Sequence, residues 1–220
     1  MPERNALLHD LQGEDRYGIW LLAQIGGAPN ELQLIVETAV YDPAVEGLRA
    51  QSNYIIRALG VHEHRLHLGV FGRLAFLDDH PLLYHLNTPR TAVHFTGKPA
   101  QLDTLVLDIS QAYVSTFGPW RNVATMGEDL NITVPLTELL GGGFGLLGTM
   151  PKPLAERMAR VLAHHGMTAS LSEDTSFEEK DEHGRSRAAK LLLIDDAYIL
   201  AFDFSVERMN GRGTQTSVES

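Results

Sequence analysis

The sequence contains no cysteine. That excludes disulfides, thiolate metal ligands and a Cys nucleophile, and it leans towards a reducing compartment. Long apolar runs are missing as well. No segment reaches the ~18 apolar residues of a membrane-spanning helix. The first residues, MPERNALLHDLQGEDRYG, lack the basic region and apolar run of a secretory signal. The expectation is a cytoplasmic protein that does not engage membranes. Basic residues are in deficit: 18 Lys and Arg stand against 28 Asp and Glu, a net charge of −10 with ten His counted as neutral. Such a chain repels phosphate backbones, and no Lys/Arg cluster stands out along it, so nucleic-acid binding is not expected. Familiar catalytic signatures are absent too. There is no Gly-x-Ser-x-Gly elbow, no His-Glu-x-x-His helix and no internal repeat.

What is present is an ordinary globular balance, 44% apolar and 21% charged over 220 residues. That length suits one large domain or two small ones at ~100–200 residues each. Residues 1–12 suit a short helix. The stretches 17–25 and 31–41 read as strands joined by the turn residues GGAPN at 26–30. Residues 42–60 fit a helical stripe and a strand alternation about equally, and the alternation through Tyr54, Ile56 and Ala58 tips them towards strand. Residues 61–77 are β-rich. A turn at DDHP (78–81), a short strand at 82–86 and a strand at 91–96 follow, which together suggest an antiparallel meander.

The clearest helix signal lies at 99–117. Leu102, Leu105, Val106, Ile109, Tyr113, Phe117 and Trp120 recur at three- and four-residue steps, and Gly118-Pro119 stops the run. Further on come a short helix at 135–140, a helix at 151–165, a strand at 167–172 and a charged loop at 173–187. A hairpin then turns at Asp195-Asp196. The fold class expected is therefore α+β: an antiparallel β-meander packed against a long helix, with a smaller helix–strand–hairpin half. The organisation expected is a sheet-plus-helix half at 1–125, a Gly-rich connection at 126–150, a second half at 151–208 and a disordered tail at 209–220. The two halves could still pack as one domain.

The sharpest chemical feature is LGVHEHRLHLG, Leu59 to Gly69. On a strand, His62 and His64 share a face ~6.6 Å apart, a spacing at which two imidazoles can converge on one ion. His67 has the wrong parity unless a bulge shifts the register. If the chain turns at Gly69–Gly72, Asp79 comes opposite His62. His62, His64 and Asp79 then form a two-His, one-carboxylate set for a divalent metal. If instead 61–77 runs straight and turns at 78–81, no third ligand arrives. The spacing fits neither of two metal families that carry His-x-His on strands. Cupins place a Glu where this chain has Leu68 and Gly69, and the amidohydrolase barrel does not suit this element pattern. A plain strand with solvated or locally bonded imidazoles is the reading the sequence favours.

Other segments have plainer explanations. Gly143–Gly148 match Gly-x-Gly-x-x-Gly, but Pro151 and Pro153 delay the helix and Thr149-Met150 replace the Lys-Ser/Thr of a phosphate loop. A flexible linker accounts for them. DDHP is turn chemistry, His164 and His165 suit a helix C-terminus, and Trp120-Arg121 suit packing at a helix end. With no catalytic residue and no cofactor indicated, the function expected is a non-catalytic binding or regulatory protein. Its partner would be a protein, a small ligand or a second copy, and it should expose an apolar patch. The other class is a metal-dependent, hydrolase-like enzyme built on His62, His64 and Asp79.

Overall fold

The computed structural model describes residues 2–178, 180, 184–185 and 187–209. The chain forms two compact units, Met1–Asp79 with Ala189–Ser220, and His80–Ala188. Elements are numbered in chain order across both.

The first unit holds α1 (Pro2–Asp10), β1 (Arg16–Ile25), β2 (Glu31–Asp42), β3 (Gly47–Arg65), β4 (Gly69–Phe71), β5 (Leu74–Leu77), β9 (Lys190–Ile194) and β10 (Ala197–Met209). They form one antiparallel sheet in the order β4-β1-β2-β3-β10-β9-β5. Alternation sets its faces. Leu32, Leu34 and Val36 of β2 and Tyr54, Ile56 and Ala58 of β3 are buried in one core with Ile199 and Ala201 of β10, and Leu7 of α1 joins them. The Tyr54 hydroxyl donates to Asp10 at 2.7 Å. Burial, reinforced by that carboxylate, pushes its pKa up to about 12.

The two edge strands of this sheet, β4 and β5, are separated in the chain by Gly72 and Arg73 alone. Phe71 and Leu74 can therefore lie at most ~11 Å apart. A flat seven-stranded sheet would hold its edges ~29 Å apart, so this one must curl until they almost meet. The β9–β10 turn pins the junction. The Asp195 carboxylate accepts from the Gly72 and Arg73 amides, both at 3.0 Å, and the Asp195 amide donates to the Arg73 carbonyl at 3.1 Å.

The second unit holds α2 (Tyr84–Asn87), β6 (Arg90–Thr96), α3 (Leu102–Phe117), α4 (Leu136–Gly141), β7 (Phe144–Pro151), α5 (Lys152–His164) and β8 (Thr168–Glu173). Its three-stranded antiparallel sheet has the order β7-β6-β8. The α3 stripe of Leu105, Ile109, Tyr113 and Phe117 is buried with Leu154, Met158 and Leu162 of α5 and with Val93 and Phe95 of β6. Each such side chain contributes about 1.5–3 kcal/mol of burial. Among the described residues, one charged side chain of this unit is buried. Asp129 is buried, and His85 Nε2 donates to its carboxylate at 3.0 and 3.1 Å while Arg90 Nη2 lies at 3.5 Å. The His85 ring stacks on Phe117.

The fold is α+β, with an antiparallel meander in β1–β3 and a long helix in α3. Several local expectations change. Residues 82–86, read as a strand, are helical: Pro81 opens a 3₁₀ turn whose Leu82 amide donates to His80 Nδ1 at 3.3 Å, and α2 continues it. Residues 144–151 form β7, where a flexible linker was expected. The β9–β10 hairpin, grouped by sequence with the helix at 151–165, pairs instead with β3 of the first unit. The tail 210–220 and parts of the charged loop lie outside the described residues. Among the described residues, no helix is long and apolar enough to cross a membrane.

Candidate functional site

The metal-site expectation depends on register. β3 runs straight through His62 and His64, with Glu63 opposite Leu200 and His64 opposite Ile199 on β10. The ladder continues from Leu200 to Leu191 on β9, and from Leu191 to Leu77 on β5. Asp79 thus lies beyond a strand three spacings from β3, about 14 Å across the sheet. Neither register considered from sequence is used, because β5 pairs with β9 and β4 pairs with β1. A second correction is local. Val61 opposes Ala201 and Glu63 opposes Leu200, so His62 is the extra residue of a bulge. A bulge breaks the two-residue alternation that would have put His62 and His64 on one face. The His62 ring meets Phe202 edge-on at 4.5 Å, and His62, His64 and Asp79 are all exposed. They do not converge on a point. Among the described residues, no group of three or more His, Asp or Glu is arranged to hold a metal.

The other sequence candidates are accounted for by packing. Asp78 and Asp79 form a bend after β5. His165 Nε2 donates to Asp108 at 2.7 Å. The Trp120 ring meets His80, and Arg121 lies over Phe117 and pairs with Glu128 at 2.7 Å. Gly148 sits where segment 129–131 crosses β7: a Cβ there would lie 2.1 Å from the Asp129 carbonyl oxygen. That glycine serves close backbone approach rather than a phosphate.

The feature that stands out is at the opposite end of the first sheet. β1 pairs with β2 along its length, but with β4 only at Gly18–Trp20. Between Trp20 and Leu22 the register on β2 slips, from Trp20 opposite Val36 to Leu22 opposite Ile35. Leu21 is therefore a bulge residue. The buried Trp20 fixes it, its indole N–H donating to the Leu22 carbonyl at 3.1 Å. The bulge turns two successive leucines outward, with Leu21 49% and Leu22 41% exposed. β4 stops at Gly69, whose φ of 147° suits glycine. Beyond it, the far edge of β1 from Leu22 to Ile25 carries no strand among the described residues.

The surroundings of that edge are apolar. Ile19 pairs with exposed Val70, Leu22 with Ile35, and Ile35 with Ile55. Leu68 is exposed, and Ile25 at the strand end is 86% exposed. No residue from Gly18 to Asn30 is charged. Open edges in proteins are ordinarily blunted by Lys, Pro or an inward charge. This one has none of these, its one guard being the Leu21 bulge, and apolar side chains stand on its outer face. The sequence reading missed it, although two signals were there: the adjacent leucines in an otherwise alternating strand, and the long uncharged run.

The chain matches no protein-family model, and no curated protein or solved structure matches it.

Proposed function

We propose that the protein is a non-catalytic binding protein that recognises a protein partner by strand addition at the open edge of β1, and that the occupant this edge fits best is a second copy of the chain. The observation that carries this reading is the open, uncharged edge Leu22–Ile25 beside the outward pair Leu21 and Leu22. Strand addition draws its affinity from main-chain hydrogen bonds and its specificity from alternate side chains. The case for a second copy is electrostatic. Each chain carries a net charge of −10, so two copies repel across most surfaces. Antiparallel pairing of β1 with itself, centred on Ala23, sets Leu22 against Gln24 and Leu21 against Ile25 and brings no charge into the seam. It is also isologous, which closes the assembly at two copies.

Sedimentation velocity across a concentration series tests the reading. Wild type should pass from monomer to dimer, and Leu22→Lys should remain monomeric. Leu22 is exposed, so the variant should keep its circular dichroism and melting temperature. A wild-type chain that stays monomeric at high concentration, or a dimer that Leu22→Lys leaves intact, would remove the proposal.

A further inference from the structure

We propose that the groove between α3 and α5 is a binding site for a small oxyanion ligand, one bearing phosphate or carboxylate groups. The site lies wholly within the second unit and does not depend on the β1 edge.

Helical spacing assembles it. Arg157, Arg160, Val161 and His164 recur at steps of three and four on one face of α5, and Asp108, Gln111, Ala112 and Ser115 do so on α3. The two helices run antiparallel, since His165 meets Asp108 while Arg157 meets Ser115 and Thr116. These eight side chains line a groove of about 470 Å³. That is within the ~300–1,000 Å³ range of small-molecule sites.

The charge in this groove runs against the rest of the chain. Several cations elsewhere are matched by acids: Arg57 by Glu207, Arg121 by Glu128, Lys152 by Glu173 and Lys190 by Asp203. Here Arg160 has no hydrogen-bond or ion-pair partner among the described residues, and Arg157 has no carboxylate. The one acid in the lining, Asp108, is taken by His165 at 2.7 Å. A lone exposed arginine would be ordinary. Two arginines against the single carboxylate of Asp108 leave this groove with a local excess of positive charge in a chain of net charge −10.

Arg157 is also held in place. Its Nη1 donates to Ser115 Oγ and Thr116 Oγ1, both at 3.0 Å. That fixes the guanidinium plane and leaves Nε and Nη2 without a partner among the described residues. A planar guanidinium with free donors suits a two-oxygen clamp on phosphate or carboxylate, and Arg160, one turn along, supplies the second. Gln111 adds a neutral donor, the Ser115 hydroxyl already donating to the Ala112 carbonyl at 3.2 Å, while Ala112 and Val161 make an apolar floor.

The test is a titration of the full chain, followed by amide NMR at constant ionic strength, with inorganic pyrophosphate in one arm and citrate in the other. Saturable shifts at Gln111, Ser115, Arg157 and Arg160 are expected. Arg160→Ala, which breaks no hydrogen bond or ion pair among the described residues, should weaken binding about tenfold or more. Lys98→Ala removes the same charge from an exposed position outside the groove and should leave the affinity unchanged. Tighter pyrophosphate binding assigns a phosphate ligand, and tighter citrate binding assigns a carboxylate. Linear, unsaturated shifts with both probes would overturn the site, as would equal losses from Arg160→Ala and Lys98→Ala.

Discussion

Asp195 adopts a left-handed φ of 48° in the β9–β10 turn and holds the two edges of the curled sheet together through Gly72 and Arg73. Aspartate tolerates that conformation, and its carboxylate does the rest. Asp195→Ala should lower stability by about 1–2 kcal/mol, since charged hydrogen bonds are strong but this pair is solvent-exposed. Asp195→Asn keeps both the backbone tolerance and one acceptor oxygen, so it should lose less. Urea unfolding of the three proteins checks the order, and equal midpoints would show that the clasp carries no energy. The sequence marked Asp195-Asp196 as a turn because turn chemistry is local. The carboxylate's role was invisible because its partners are 123 and 122 residues away. His62 teaches the converse. Its spacing to His64 was legible, but the bulge that separates them is set by β10, far along the chain.

Elements were legible where their cause is local. The three- and four-residue steps of α3 suffice to place it, because one apolar face must be buried and Gly118-Pro119 must end it. Strands β1 and β2 follow from alternation in the same way. The segment 82–86 failed because a short apolar run has no period of its own, and Pro81 decided for a helical turn. Gly143–Gly148 failed for a different reason. Its glycines suggested flexibility, whereas two of them answer packing: Gly145 at φ 154° and Gly148 beneath the Asp129 carbonyl. Gly148→Ala should therefore be severely destabilising. The added Cβ would meet backbone atoms at 2.1 and 2.8 Å, so the whole 129–131 segment must shift and carry the buried Asp129 with it. A loss above about 2 kcal/mol is expected, in the range of overpacked cores. Gly142→Ala is the comparison, since its φ is helical and its nearest contact, the Leu139 carbonyl, is 3.3 Å away. Thermal melts of both variants test this, and a mild Gly148→Ala would mean that segment 129–131 is not seated on β7.

At the scale of the whole molecule, the second unit is an insertion. His80–Ala188 is continuous in the chain, whereas the first unit is built from both flanks. The two should consequently differ in their ability to fold when excised. The core of the second unit draws Val93, Phe95, Ile109, Tyr113, Phe117, Leu147, Leu154 and Met158 from within one continuous segment. The first unit depends on its distant part. β10 pairs with β3 from Tyr198 opposite Arg65 to Met209 opposite Asn53, and β9 carries β5. Without residues 189–209, the core loses Leu192, Ile194, Ala197, Ile199, Ala201 and Phe204, β3 gains a long open edge, and β5 has no partner. The four large side chains among them, at about 1.5–3 kcal/mol each, amount to about 6–12 kcal/mol, comparable with the total stability of a typical small domain. Residues 80–188 expressed alone should give a cooperative thermal transition and dispersed amide resonances. Residues 1–79 alone should remain unfolded, and adding a peptide of residues 188–209 should restore strand signal. A folded 1–79 fragment would contradict the dependence of the sheet on β10, and a molten 80–188 fragment would contradict the self-sufficiency of the second core.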